Sequence, residues 1–507
     1  MTMPKFQLSP LFTDGAVLCR NKEIRLFGTA EDGTALRLTL ADAAGAVLAE
    51  DRLIARNGSF CFFLSPQKAQ EGCVLALTDG QDTAVYSDIA VGDVYLASGQ
   101  SNMELELQNA DEGKDLIPLH ENPLVRYFNV PKCPRFTPEM EEANRNARWM
   151  KIAPGTAKDM SAVAYFFAMK LQKHLNIPVG IIDCYWGGTS VTCWMDEEAL
   201  NRTAEGQRYM REYEKRCEGK SMEQYLAEEA SWMGSLDAWA KKADALKAVH
   251  PEYTTKELNV EIGPCPPWDP PAGEGSPYRP HGLFHTMLER VIPAALTGVL
   301  FYQGEEDSWR TKQYDILLSS YIIRLRELFR DDELPFLNVQ LPMWIDGAAT
   351  EDSKLWPRLR MAQQKVYRNF RNTGLAVLLD QGEFDNIHPT NKRVVGERLF
   401  ECALDVIYHQ PARLSPFATG KCQKDGKLYI SLSAPAVIRG EGDLLLEIAG
   451  EDGVFVPADA QLCGDTLILS SPSVPRPVMA RYAWTDYAIV RLFGENGLPL
   501  APFCWTE

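Results

Sequence analysis

The chain has 507 residues, too many for one ordinary domain and enough for about three of ~150 residues each. Apolar residues make up 45% and charged residues 24%, with 36 Gly and 32 Pro, which excludes a disordered, collagen-like or low-complexity chain. Lys+Arg 52 against Asp+Glu 69 leaves a net charge of −17, so no global field favours nucleic acid or an anionic membrane, and an anionic ligand needs a local basic pocket.

The first residues, MTMPKFQLSPLFTDG, lack a charged stretch followed by an apolar one, so no secretory signal is visible and a cytoplasmic protein is expected. The apolar runs VAYFFAM and VIPAALTGVLF are far short of a membrane span. Residues 1–88 alternate as strands do (AVLCR, EIRLFGTA, ALRLTLAD, SFCFFLS, VLALTD) between Asp-Gly and Asn-Gly turns, which predicts an N-terminal β-sandwich-like module. From 89 to 410 short apolar strands (93–98, 124–130, 179–186, 298–303, 335–341, 374–380) alternate with helical patterns (162–175, 311–329, 356–370, 391–408). That texture predicts an α/β domain whose parallel sheet is covered on both faces. A charged helical stretch ending in GPCPPWDPPAGEGSPYRP interrupts it over about 196–280. A solvated hairpin is the preferred reading and a lid over a site the alternative. Strands return over 411–507 as a C-terminal β module.

Sites in open α/β sheets lie at the carboxyl ends of the strands. One strand here runs into Gly99-Gln100-Ser101-Asn102-Met103, which puts a serine on a sharp turn beside free backbone amides. A second runs into Gly187-Gly188-Thr189-Ser190, where small residues let amides approach a substrate oxygen. A third runs into Gln303-Gly304-Glu305-Glu306-Asp307, a side-chain amide at the same rim. A serine needs a base, and of seven histidines His388 stands out, in Asp385-Asn386-Ile387-His388-Pro389 before a helix. The spacing allows Asp385 to orient one imidazole nitrogen while the other meets a serine.

Twelve cysteines without a C-x-x-C suggest reduced thiols, and Cys184 and Cys193 are too far apart in sequence for a zinc knuckle. His281 and His285 have the i, i+4 spacing of metal ligands, but no Glu follows His281 and no third ligand is evident, so neither metal nor cofactor is expected.

GQSNM, the Gly pair of CYWGGTSVTCW, YQGE and D-x-x-HP-x-NK resemble the four blocks of the SGNH hydrolases, in their sialate O-acetylesterase branch. SPLFTDGAVLCR, SAVAYFFAMKL, PFLNVQLP, LAVLLDQGE and RYAW…NGLPLAPF extend that likeness over nearly the whole chain. The resemblance implies a flavodoxin-like three-layer α/β/α hydrolase flanked by β modules. It implies Ser101 as nucleophile, His388 as general base and acid, Asp385 as the orienting acid, and an oxyanion hole from the amides of Ser101 and Gly188 with the side chain of Gln303. Two departures stand out: Glu306-Asp307 follows Glu305, and Asn386 occupies the place where some relatives carry the acid.

Gln100, Asn102 and Glu305 lie within these blocks and are expected to bind substrate. Trp186, Trp194, Tyr302 and Trp309 are candidates to stack on a sugar, with at least half expected in the core instead. Arg310, Arg358 and Arg360 are the cations expected to meet a sugar carboxylate, unless they serve as surface ion pairs. The function implied is a serine esterase removing O-acetyl groups from sugars, a sialate O-acetylesterase first. The rivals are a xylan, mannan or xyloglucan acetylesterase and a non-catalytic carbohydrate-binding protein. The partner expected is a small or oligomeric O-acetylated sugar, with no nucleic acid and no membrane; the oligomeric state is open.

Overall fold

A computed structural model describes residues 5–506. Strands Phe6–Leu8, Ile24–Ala30 and Ser59–Leu64 form one antiparallel sheet. Ala35–Ala41, Val47–Ile54 and Gln70–Thr78 form the second layer. Cys73, Leu75 and Leu77 alternate into the interior with the period of a half-buried strand. This second layer has no edge toward the rest of the molecule. Gln70–Thr78 pairs with a seventeen-residue strand, β1 (Thr83–Gly99), whose far half is the centre of the next sheet. The boundary expected at 88 and 89 therefore falls inside one continuous strand.

The central sheet adds β2 (Asn122–Asn129), β3 (Trp149–Ile152), β4 (Val179–Tyr185), β5 (Gly298–Tyr302), β6 (Phe336–Val339) and β7 (Thr373–Ala376). Their spatial order is β3-β2-β4-β1-β5-β6-β7. β3 runs antiparallel to β2, and the other pairings on this path are parallel. β4 through β7 are buried along their whole length, the pattern of strands covered on both faces.

The helices that place the site are, in chain order, α1 (Ser101–Glu104), α2 (Ala162–Leu175), α3 (Glu197–Asn201), α4 (Ala204–Cys217), α5 (Met222–Lys247), α6 (Thr255–Ile262), α7 (Gly282–Thr286), α8 (Tyr314–Leu328), α9 (Leu355–Asn369) and α10 (Lys392–Val406). α2 starts where Ser161 caps the Ala164 amide, an interaction typically worth about 1 kcal/mol, and stops at Asn176 in the left-handed region. Tyr95 of β1 packs edge-on against Phe167 of α2, while Ser98 meets Tyr321 of α8. Residues 95 and 98 point to opposite faces of a strand, so helices cover both sides.

Between β4 and β5 the chain leaves the sheet through α3 to α6 and returns along a proline-rich coil to α7. The N-terminal and central hydrophobic residues merge into one core. A second core belongs to the C-terminal strands and takes in Met343, Leu375, Val377 and Leu379 from the edge of the central sheet. Arg360 bridges the two: fully buried on α9, it donates Nη2 to the carbonyls of Thr485 (3.1 Å) and Asp486 (3.0 Å). All twelve cysteines are free thiols, and no helix among the described residues is long and apolar enough to cross a membrane.

Candidate active site

Gly99 ends β1 at φ 137°, and a Cβ there would lie 2.1 Å from the Tyr302 carbonyl of β5. Glycine is needed for that close approach. The chain then turns through Gln100 into α1, with Ser101 as its first residue. Ser101 Oγ lies 2.8 Å from Nε2 of His388, which comes from the loop between β7 and α10. The two loops are tied by Asn102, whose Nδ2 donates to the Ile387 carbonyl at 2.9 Å.

Asn102 is fully buried and does not reach the cavity. It also donates to Glu305 Oε1 at 2.6 Å and accepts from Lys392 Nζ at 2.5 Å. The substrate-binding role expected for it gives way to a positioning one, because its amide is taken up by Glu305, Lys392 and the Ile387 carbonyl. Burial pulls Lys392 down to about 7 and pushes Glu305 up. His388 is lowered to about 4 by desolvation first and by the Lys392 charge second, although the residue is exposed where it lines the cavity. It is neutral at pH 7 and able to accept the Ser101 proton.

Two expected contacts are absent. Asp385 does not bond to His388. At φ 61° its carboxylate turns toward the insertion instead, accepting from the Gly347 amide at 2.5 Å and from the amide of Thr255 at the start of α6. Among the described residues His388 Nδ1 has no hydrogen-bond partner. The loop is shaped by Asn386, whose Oδ1 accepts from the His388 backbone amide (3.1 Å) and whose Nδ2 donates to Glu383 (2.7 Å).

Gln303 is equally occupied. Its Nε2 donates to Asp307 Oδ2 (2.7 Å), to the Thr189 carbonyl (3.1 Å) and toward Gln100 Oε1 (3.3 Å), and its Oε1 accepts from the Tyr314 hydroxyl (2.6 Å). With no amide hydrogen left for a substrate oxygen, Gln303 holds the rim rather than forming the hole. The cause is Asp307, four residues on, which is buried and also gathers the Val191 amide (2.9 Å), the Ser190 hydroxyl (2.7 Å) and Tyr209 (2.8 Å). That carboxylate fixes the turn carrying Gly188. Among the described residues, the amides of Ser101 and Gly188 have no protein acceptor.

The cavity in front of Ser101 and His388 measures about 650 Å³, within the ~300–1,000 Å³ usual for small-ligand sites. Trp186, Trp309, Trp344 and Trp356 line it, as do Gln100 and Glu305, and Trp268 and Tyr278 reach it from the proline-rich coil. The insertion is therefore a wall of the cavity and not only a solvated hairpin. Trp194 and Tyr302 are buried in the core, the Trp194 indole donating to Thr189. Arg358 is exposed and does not line the cavity, and Arg360 buttresses the C-terminal module as described. Arg310 lies in an adjoining recess of about 190 Å³, paired to Glu212 at 2.6 Å and stacked between Tyr209 and Trp309, each ring 4.0 Å away.

Residues 269–405 match the family model of a carbohydrate esterase, sialic acid-specific acetylesterase. The chain is 25% identical to the sialate O-acetylesterase of Mus musculus over 462 residues, covering 82% of this chain and 77% of the mouse protein. With that of Rattus norvegicus the match is 26% over 344 residues, 63% of this chain and 57% of the rat protein's length. A crystal structure of a carbohydrate acetylesterase from Xanthomonas citri superposes with a TM-score of 0.76 at 27% identity over 99% of both chains. Residues 269–405 thus carry the sialic acid-specific acetylesterase domain, and the chain as a whole is similar to sialate O-acetylesterases and to a carbohydrate acetylesterase.

These likenesses indicate a carboxylic ester hydrolase, and several residues of the site escaped the sequence. Lys392 sits in the NK of the His388 block, but nothing in its neighbours announces that it is buried against Asn102. Trp268 and Tyr278 carry only the weak signal of aromatics in a proline-rich coil. Glu306 is raised to about 8 by burial and by the adjacent Asp307, which weakens the negative charge expected there.

Proposed function

We propose that this esterase cleaves O-acetyl esters of sugars through an acetyl-serine intermediate, with O-acetylated sialic acid as its first substrate. The observation that carries the route is the 2.8 Å contact of Ser101 Oγ with His388 Nε2 in the wall of an aromatic cavity. Ser101 attacks the acetyl carbonyl as His388 takes its proton, and the free amides of Ser101 and Gly188 receive the developing oxyanion. Collapse expels the sugar alkoxide, which takes the proton back from His388. Water deprotonated by His388 then attacks the acetyl-serine and releases acetate. With no carboxylate on Nδ1 among the described residues, the site works as a Ser-His dyad. Of the six parallel strands, in the spatial order β2-β4-β1-β5-β6-β7, the five adjacent strands from β4 to β7 run second, first, third, fourth, fifth in the chain, with β2 added outside β4. That order supports a flavodoxin-like SGNH core, entered along the strand it shares with the N-terminal β module and followed by a β module at 411–507.

Arg310 supports an acidic sugar: its Nε and Nη1 are buried without partners among the described residues, in the recess beside the catalytic cavity. A second reading, a neutral xylan, mannan or xyloglucan ester, is favoured by the cavity lining, which includes Glu104, Glu305 and Glu306 but neither Lys nor Arg. Acetate release from 9-O-acetyl sialic acid, acetylated xylo-oligosaccharide and acetylated manno-oligosaccharide separates them. Arg310→Met should raise KM on the sialic acid and leave a neutral acetyl sugar unchanged. If Ser101 fails to react with a fluorophosphonate probe, the catalytic reading gives way to carbohydrate binding.

A further inference from the structure

The histidine pair on α7 gains in space the third ligand it lacks in sequence. His281 precedes the helix at φ 57° and His285 follows one turn later. Facing them is Glu197, the first residue of α3, with Oε2 at 2.9 Å from His285 Nε2 and Oε1 at 3.5 Å from His281 Nδ1. The three donor atoms lie within 4.8 Å of one another. Two ligands about 2.0–2.1 Å from a tetrahedral zinc stand ~3.3 Å apart, so the measured separations bracket the required one.

An ordinary ion pair accounts for His285 but leaves a remainder. His281 Nδ1 is buried and makes no hydrogen bond among the described residues, in contrast to the usual fate of buried polar atoms. The other nitrogen of His285 has its own carboxylate, Glu289 Oε2 at 3.3 Å from Nδ1. Metal-ligating histidines are held in this way, with the carboxylate on one nitrogen leaving the other free for the ion. We infer that Glu197, His281 and His285 form a binding site for a divalent transition metal, zinc first, with its fourth position open to water. Two imidazoles and one carboxylate suit zinc, nickel or copper and argue against magnesium or calcium, which prefer oxygen donors. The side chains are about one-third to one-half exposed (31%, 32% and 49%), so the ion has a route in from solvent.

The position gives the ion a structural role. Glu197 opens the excursion between β4 and β5, and His281 closes it. An ion here would pin both ends of the segment that carries Trp268 and Tyr278 over the catalytic cavity, closing a long loop. Neither His281 nor His285 lines that cavity, so the site is independent of the esterase chemistry.

Full-length protein dialysed against EDTA should take up one zinc per chain in a calorimetric titration, and zinc should raise its thermal midpoint. His285→Ala and Glu197→Gln should each lose the saturable binding and the thermal shift while keeping wild-type hydrolysis of p-nitrophenyl acetate, which reports that they are folded. His388→Ala should still bind zinc. Absence of saturable binding in the wild type would overturn the inference. So would unchanged binding in His285→Ala, or loss of binding in His388→Ala alone.

Discussion

Replacing Gly188 by alanine puts a Cβ 2.0 Å from Cζ2 and 2.8 Å from Cε2 of Trp268, at a φ of 69°. The left-handed backbone costs an alanine about 1–2 kcal/mol. Relief of the clash can come from either partner. Trp268 is 48% exposed and held edge-on against Trp232 and Tyr278 at centroid distances of 5.1 and 5.7 Å. Moving the ring forfeits two aromatic contacts of about 0.5–1.5 kcal/mol each, hence about 1–3 kcal/mol. If the turn yields instead, the Gly188 amide leaves the oxyanion position, and loss of one such donor lowers kcat by about 10²–10³. The turn is anchored by Asp307, so both routes are strained, and Gly188→Ala should lose stability and kcat together. The assay is p-nitrophenyl acetate hydrolysis with thermal melts for the wild type, Gly188→Ala, Trp268→Ala and the double variant. Removing the indole first removes the clash, so the alanine should cost far less in that background, a coupling of about 1–3 kcal/mol. Full kcat in Gly188→Ala, or the same loss in both backgrounds, would refute the reasoning.

Ser101→Ala should reduce kcat at least about 10³-fold without lowering the thermal midpoint, as expected for a nucleophile; an active variant would remove the dyad. Asp385→Asn should keep kcat within about tenfold of wild type while the melting temperature falls, whereas a true orienting acid is worth about 10⁴. Gln303→Ala should leave Asp307 and Tyr314 short of partners at about 1–3 kcal/mol each, so the protein melts earlier. An unshifted melt with collapsed kcat would instead restore a direct role in the oxyanion hole. Because His388 is lowered from its ordinary value, kcat/KM should stay level down through pH 6.5 and fall only in more acidic solution. Unfolded His388 binds a proton near 6.5 and the folded residue only near 4, so acidification across that window favours unfolding. An acid limb at or above 6.5 would contradict both statements.

The strands, the four helices of the central domain and the pairing of Ser101 with His388 were legible because they rest on periodicity and on residue types at strand ends. The helical pattern read at 162–175 is the helix α2 itself, with its serine cap and asparagine stop written beside it. What escaped depends on contacts between distant segments. A three-residue spacing lets an aspartate reach a histidine, but the positive φ of Asp385 sends its carboxylate to Gly347 and Thr255. Gln303 has the chemistry of an oxyanion donor until Asp307, buried by Tyr209 from the insertion, claims its hydrogens. Asn102, Lys392 and Glu305 form a buried polar cluster whose members lie in three separate motifs. Glu197 is invisible as a ligand because it precedes the histidines by most of the insertion.

The strand from Thr83 to Gly99 makes the N-terminal strands and the nucleophile parts of a single rod. A protein trimmed to begin at residue 89 would cut that rod and strip Gln70–Thr78 from its edge, leaving unpaired backbone groups open to other chains. The practical unit for expression, domain exchange or crystallisation thus starts at the first strand, Phe6–Leu8.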